Sequence, residues 1–297
     1  MIEKQRVPDI YIIGAQKSGT TTLYDWLSQH PQIYGHPLAK DYPYFSNDNS
    51  FHGGTDQFYS FVKNIPDNCL SLGGDANAMY SISAIERMQR IIPSAKLIAI
   101  LRNPIDRAYS AYMHAIERAM ETRDFEEAIN DELCGFYYDP LDRLRRDYLQ
   151  HGLYAKQIKN LLHYFPKDQI KIIIFEELRE KPHNILKNVF KFIGVNNDFI
   201  PNMIIHNETQ GGYRSKWLAR LTYAHQSTQT IRNVIKTLVP FHIRTTFRKK
   251  LIAFNRVKAV KPSFPANLRP ILQEYYSNEI TTLECLLNKE IIAWHTG

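Results

Sequence analysis

Residues 9–27, DIYIIGAQKSGTTTLYDWL, constrain this chain more than any other stretch. The apolar run Ile10 to Ile13 has the length and composition of a buried strand. A glycine-bounded turn, Gly14-Ala15-Gln16-Lys17-Ser18-Gly19, follows, and Leu23, Trp26 and Leu27 then recur at helical spacing. A strand, a tight loop and a helix N-terminus in that order make an anion site. The loop amides converge, the first-turn amides of the helix point the same way, and the helix dipole adds partial positive charge. Lys17 brings a full charge, and Ser18, Thr20, Thr21 and Thr22 bring hydroxyls. The expected ligand group is a phosphate or a sulfate.

The loop departs from the ATP-binding pattern G-x-x-x-x-G-K-[ST], in which lysine follows the second glycine and the next hydroxyl holds magnesium. Here Thr20 follows Gly19 and the lysine lies inside the loop. The later apolar run 97–101 ends in Arg102 rather than in a magnesium-holding aspartate. A metal-bridged triphosphate is a poor fit, and no metal is expected. That second run opens KLIAILRNPIDRAYS, residues 96–110, with Pro104 suited to a first helical turn and Asn103 to its cap. Arg102 stands at the carboxyl end of its strand, the edge where open α/β sheets bind ligands. Ser110 falls about two turns into the helix that follows.

Together these segments resemble the paired signatures of the sulfotransferases that use 3′-phosphoadenosine 5′-phosphosulfate (PAPS). In that family a K-x-G-T-T loop grips the 5′-phosphosulfate and an R-x-P-x-x-R-x-x-S segment grips the 3′-phosphate. They stand here as Lys17-Ser18-Gly19-Thr20-Thr21 and as Arg102 to Ser110. Gly152 to Phe192 and Leu268 to Trp294 are similar to the glycan and bacterial branch. The resemblance implies an α/β fold with a P-loop-like, mostly parallel sheet flanked by helices. It implies a PAPS cofactor leaving as adenosine 3′,5′-bisphosphate (PAP), and a hydroxyl acceptor before an amine: a glycan, a glycolipid or a small molecule.

It also implies roles for single residues. Lys17 stands on the leaving-group side of the reaction. Lys40-Asp41-Tyr42-Pro43-Tyr44-Phe45 matches the family's K-E-x-x-F-F, which assigns the base to Asp41 and places Lys40 and Tyr44 beside the acceptor. Asp75, in GGDANAMY, matches the acid of G-E-x-x-P-x-Y and is expected to face the same cleft. His36 and His52 stay open as alternative bases, because an unperturbed imidazole titrates near neutral pH. Arg214, in QGGYRSK, is assigned to the cofactor as part of a mobile glycine-containing loop. The aromatic residues at 42, 44, 45, 51, 58 and 59 suit either sugar stacking or a core beneath a loop.

The remaining sequence bounds the setting. A chain of 297 residues with 44% hydrophobic content can close one large core, so a single domain over 1–297 is expected. Cys69, Cys134 and Cys285 match no metal or disulfide spacing and read as reduced core thiols. No apolar run reaches membrane-span length, and the first residues, MIEKQRVPD, carry no signal-peptide core. The expected setting is the cytoplasm of a bacterium. From Thr209 to Gln273 there are thirteen Lys or Arg and no Asp or Glu. This stretch is expected to form a basic helical cap over 209–265. Arg248, Lys249 and Lys250 are candidates for contact with an anionic membrane or a polymeric acceptor. No recognition motif supports nucleic acid. The sequence does not reach oligomeric state.

Strands are expected at 9–13, 70–74, 96–101 and 170–175, and helices at 20–29, 82–92, 104–120, 124–133, 152–164, 182–193, 214–238 and 268–288. Residues 34–68 read as an irregular loop over the site. Two rival functions remain at this point: a metal-dependent P-loop kinase, and a non-catalytic nucleotide-binding protein that uses its basic cap.

Overall fold

Each apolar run named above becomes a strand, and strands covered on both faces, as in a parallel sheet, read as such runs. The computed structural model describes residues 6–118, 120–136, 147–204, 211–215, 218, 247, 250–258 and 263–295. In chain order they begin β1 (Ile10–Gly14), α1 (Thr20–Ser28), β2 (Ile33–Gly35), α2 (Asp48–Gly53), α3 (Thr55–Ser60), β3 (Leu70–Gly74), α4 (Ile82–Ile91) and β4 (Lys96–Leu101). Next come α5 (Pro104–Glu117), α6 (Phe125–Leu133), α7 (Tyr154–Tyr164), β5 (Ile170–Ile174), α8 (Phe175–Glu180) and α9 (Pro182–Ile193). The short strands β6 (Gly211–Tyr213) and β7 (Arg256–Lys258) precede α10 (Leu268–Leu287).

Two compact units divide the chain, one of residues 1–107, 149–207 and 270–297, the other of 108–148 and 208–269. The first holds a five-stranded sheet in the order β2-β3-β1-β4-β5, with every pair parallel. From β1 the chain passes outward to β2 and back to β3 on one side, and from β4 it passes to β5 on the other. The two central strands therefore send their following loops apart and open a crevice at their carboxyl ends. Ile10 and Ile12 of β1, with Ile98 and Ile100 of β4, face Leu23, Trp26 and Leu27 of α1 and Leu186, Val189 and Phe190 of α9. By strand alternation Tyr11 and Ile13 point to the opposite face, and both are buried.

In the second unit β6 pairs antiparallel with β7, Gly211 opposite Lys258 and Tyr213 opposite Arg256. Residues 211–213 of the segment 210–216, expected as a mobile loop, form this strand. Asn255 closes its end, donating to the Ser215 carbonyl (2.9 Å) and accepting from the Ser215 amide (2.8 Å). The helix expected at 214–238 lies, apart from residues 214, 215 and 218, outside the described residues, as do Arg248 and Lys249; Lys250 is exposed. Among the described residues no helix is long and apolar enough to cross a membrane.

Two expectations need correcting. Residues 34–68 are not one irregular loop, because they contain the end of β2 and all of α2 and α3. Asn47 accepts from the Ser50 amide (3.0 Å) and caps α2, and Arg87 binds Asp48 and the Phe45 carbonyl (2.9 Å). Nor are the cysteines core thiols. Cys134 caps the end of α6 and is exposed, Cys285 is exposed on α10, and Cys69 is part-exposed just before β3.

Candidate anion site and base loop

The turn after β1 is shaped by its backbone. Lys17 (φ 68°) and Gly19 (φ 88°) both lie in the left-handed region, with Ser18 between them. Such alternation turns successive amides toward one point and makes an anion-binding concavity. Gly19 needs its lack of a side chain twice, since a Cβ there would meet the Phe175 ring at 3.1 Å. Gly19 is also the N-cap of α1, and no side chain caps that end. The loop is fixed from below by the Ala15 amide on the Ile100 carbonyl (2.8 Å) and by the Ser18 amide on the Ala15 carbonyl (3.2 Å). Ser18, Thr20 and Thr22 are buried, while Lys17 and Thr21 are half-exposed.

Arg102 arrives from the end of β4, and its Nη1 donates to the Lys17 carbonyl at 3.3 Å. Its guanidinium lies 5.0 Å from the centre of the Phe175 ring. Burial pulls the Arg102 pKa down, and the charges of Asp106 and Glu176 oppose that pull. The Asn103 side chain accepts from the Ile105 amide (3.0 Å), so the expected cap is present. Three supports of Arg102 escaped the sequence. Tyr154 donates its hydroxyl to the Arg102 carbonyl (2.9 Å) and lies beside the Ser18 hydroxyl. Burial pushes that phenol up to about 12, and the charge of Arg107 tempers the rise. Glu176 accepts from the Asn103 amide (3.0 Å) and from the Trp294 indole (2.9 Å). Phe175, the third, supplies the ring under the guanidinium. The one available signal was the F-E pair directly after the β5 run, which reads as a strand end until the helix there is known.

On the other side of β1, Asp41 sits in a tight turn with φ 59°, exposed, with its Oδ2 3.9 Å from Lys40 Nζ. The two residues matched to the family's base and lysine thus form one surface pair. His36 is a poorer base. Its Nδ1 accepts from the Leu38 amide (3.2 Å), its ring stacks on Phe61, and burial lowers its pKa. With Nδ1 accepting, the neutral ring keeps its proton on Nε2 and has no free basic nitrogen. His52 is exposed on α2.

Two residues expected on the acceptor side are buried. Tyr44 is only 2% exposed and stacks on Phe58 with ring centres 4.1 Å apart. It belongs to a core of Tyr44, Phe45, Phe51 and Phe58 rather than to a sugar platform. Asp75 does not face a cleft. It is 2% exposed and turned inward, where its carboxylate accepts from the Ser46 amide (3.1 Å) and the Asn77 amide (3.1 Å). Desolvation raises its pKa to about 6, the charge of Asp41 adds to the rise, and the hydrogen bonds oppose it.

Lys17, Thr20–Thr22, Arg102, Lys40, Asp41 and Asp75 belong to the first unit, while Ser110 (half-buried, on α5) and Arg214 belong to the second. Arg214 is exposed, its amide donates to the Asn255 carbonyl (2.8 Å), and its guanidinium lies 5.3 Å from the centre of the Phe254 ring.

A cradle for an anion beside the end of β1, with an arginine from β4, fits a family already matched on other grounds. The sulfotransferase domain family model matches residues 7–277, and the chain belongs to this family of PAPS-dependent enzymes. Over 201 residues, 64% of the chain, it is 36% identical to the bifunctional heparan sulfate N-deacetylase/N-sulfotransferase 4 of Mus musculus, covering 22% of that protein. The type 3 enzyme of Homo sapiens is 35% identical over the same length and coverage. The chain therefore spans about a fifth of the length of these curated relatives. A crystal structure of a sulfotransferase from Alicyclobacillus acidocaldarius superposes with a TM-score of 0.70 at 25% identity, over 98% of this chain and 99% of that one.

Proposed function

We propose that the protein transfers a sulfuryl group from PAPS to a hydroxyl or amine. The observation that carries this reading is the meeting of the Lys17 loop with Arg102 at the switch point of the sheet, joined by the Arg102–Lys17 hydrogen bond. The donor set suits PAPS: a concave run of amides, hydroxyls and two cations, all of which hold phosphate and sulfate oxygens without a metal. Among the described residues no group of three or more His, Cys, Asp or Glu could hold a metal ion.

When bound, PAPS supplies the sulfuryl group and a nucleotide bisphosphate that leaves. The loop amides and Thr20–Thr22 would hold the 5′-phosphate side, and Arg102 the 3′-phosphate. Lys17 would oppose the negative charge that grows on the leaving oxygen, a contact worth most in the transition state. Asp41 would take the proton from the acceptor, with Lys40 beside it. Such a transfer relies on positioning and electrostatics, as phosphoryl transfer does. Similarity to proteins named as N-sulfotransferases supports an amine acceptor alongside the hydroxyl.

The test is a pair of titrations and a transfer assay, all without added metal. PAP is expected to bind far more tightly than AMP. Labelled sulfate from PAPS is expected to appear on members of a panel of amino- and hydroxyl-bearing oligosaccharides and small alcohols. Equal affinity for PAP and AMP would falsify the assignment.

A further inference from the structure

Asp75 holds one of the least exposed carboxylates of the described chain, and the transfer chemistry above makes no use of it. Its partners lie on both sides of the site. Ser46 gives it a backbone amide (3.1 Å) and a side-chain hydroxyl. Ser46 closes the segment that begins at Lys40 and carries Asp41. Asn77 gives its amide (3.1 Å), and the Asn77 side-chain oxygen accepts from Gln16 Nε2 in the anion loop (3.3 Å). The same turn closes over the start of that loop: a Cβ on Gly14 would meet Met79 Sδ at 2.5 Å and the Ala76 carbonyl at 3.3 Å. The Asp75 amide is itself fixed on the Ile12 carbonyl of β1 (2.9 Å). Asp75 therefore joins the base segment through its carboxylate, the central strand through its amide and the anion loop through its neighbour Asn77.

We propose that Asp75 is a positioning residue: its buried carboxylate ties the Lys40–Ser46 segment to the anion loop and so sets the place of Asp41 relative to the transferred group. The inference rests on the reading of Asp41 as the base. A mechanical tie is needed there. The base segment is held by turn hydrogen bonds such as Ala39 amide to His36 carbonyl (2.9 Å) and by aromatic packing, and it pairs with no strand. A base misplaced by an ångström loses much of its effect. The charged or titratable groups acting on or felt from Asp75 are Asp41 on that segment and Tyr11 on β1, whose phenol is raised well above its ordinary value by burial and by Asp75.

The experiment compares wild type, Asp75→Asn, Ser46→Ala, Asp41→Asn and the Asp41/Asp75 double variant. An amide at 75 can accept at only one of its two positions, so one backbone tie is lost. Ser46→Ala removes only a hydroxyl and keeps the test alive if Asp75→Asn does not fold. Amide exchange of residues 41–47 without ligand is the first readout, and it is expected to quicken about tenfold or more in Asp75→Asn and less in Ser46→Ala. PAP affinity is expected to stay within about twofold. Turnover of PAPS, with water or the amino- and hydroxyl-bearing oligosaccharides of the panel as acceptor, is expected to fall about tenfold or more through kcat. The double variant should be no slower than Asp41→Asn within about twofold, because two residues acting through one step are not additive. Unchanged exchange at 41–47 in both single variants overturns the proposal, and so does a loss of PAP affinity that matches the loss of turnover. If instead Asp41→Asn keeps full turnover, the base assignment fails while the exchange result still reports the tie.

Discussion

The anion loop and the base loop each hold one side chain in the left-handed region, Lys17 at φ 68° and Asp41 at φ 59°, yet they are built differently. The anion loop is enforced by backbone. It hangs between β1 and α1, its amides bond to neighbouring strands and turns, and its glycine fits only beneath the Phe175 ring. The base loop is enforced by side chains: a stacked aromatic core, the Arg87 clamp and the buried Asp75 carboxylate. The difference teaches how differently two loops of one sheet edge can be held. A backbone cradle tolerates changes in the side chains around it, whereas a loop held by side chains is remade by each substitution. The contrast predicts that damage on the base loop spares PAP binding, and damage on the anion side does not.

The largest break is expected from Asp41→Asn, which should lower turnover by roughly two to four decades while PAP affinity holds. Titration calorimetry with PAP, beside single-turnover transfer from PAPS, separates the two effects. Full turnover in this variant would return the base to a search among the remaining groups, His52 first.

Next comes acid. Asp75 has a folded-state pKa of about 6 against an ordinary 3.8. Between those values the folded chain holds its proton more tightly than the unfolded chain does. The contribution of Asp75 to stability is thus fully present below about pH 4, declines as pH rises to about 6, and is flat above it. The size is on the order of 3 kcal/mol, offset by whatever other carboxylates gain over the same range. Comparing denaturant unfolding of wild type and Asp75→Asn between those two pH values isolates the group. Identical slopes would show that the buried carboxylate ionises freely.

Arg102→Ala is expected to weaken PAP by about 1.5–3 kcal/mol, ten- to a hundredfold or so, and to leave AMP nearly untouched. Its lost bond to the Lys17 carbonyl is the reason to measure both ligands. A parallel loss for AMP means that Arg102 shapes the loop rather than reading the 3′-phosphate.

The same contrast governs what the sequence disclosed. The strands expected at 9–13, 70–74, 96–101 and 170–175 all lie in the sheet, and Gly14, Lys17 and Gly19 point to the cradle through their strand-to-helix context, while Arg102 joins them only through the paired family signatures. Three-residue β2 gave no periodic signal, since Ile33, Tyr34 and Gly35 are too few to alternate. The burial of Tyr44 and Asp75 is hidden for a related reason. Their residue types fit an acceptor surface, but burial is decided by partners far off in the chain: Phe58 for the tyrosine, Ser46 for the aspartate. Likewise the glycines at 211 and 212 suggested mobility until their partner strand, 45 or so residues later, was known. Local pattern reports local structure, and the acceptor side is built from long-range contacts.

The smallest expected effect is also the most controlled comparison, because each side has a tyrosine hydroxyl bonded to a carbonyl, one from α7 on Arg102 beside the anion loop and one within the base loop. Tyr154 donates to Arg102 O at 2.9 Å from a buried position, and Tyr42 donates to Gly54 O at 3.2 Å from a half-buried one. Replacing either by phenylalanine removes one hydrogen bond and little volume. Tyr154→Phe strands the Arg102 carbonyl in the core, and is expected to cost about 0.5–1.5 kcal/mol in stability and up to about tenfold in PAP affinity. Tyr42→Phe leaves a carbonyl that water can reach, so its stability cost should be smaller and its effect confined to acceptor KM. Thermal unfolding with and without saturating PAP measures both at once. If Tyr42→Phe weakens PAP as much as Tyr154→Phe does, the two loops are one mechanical unit and the division drawn between them is wrong.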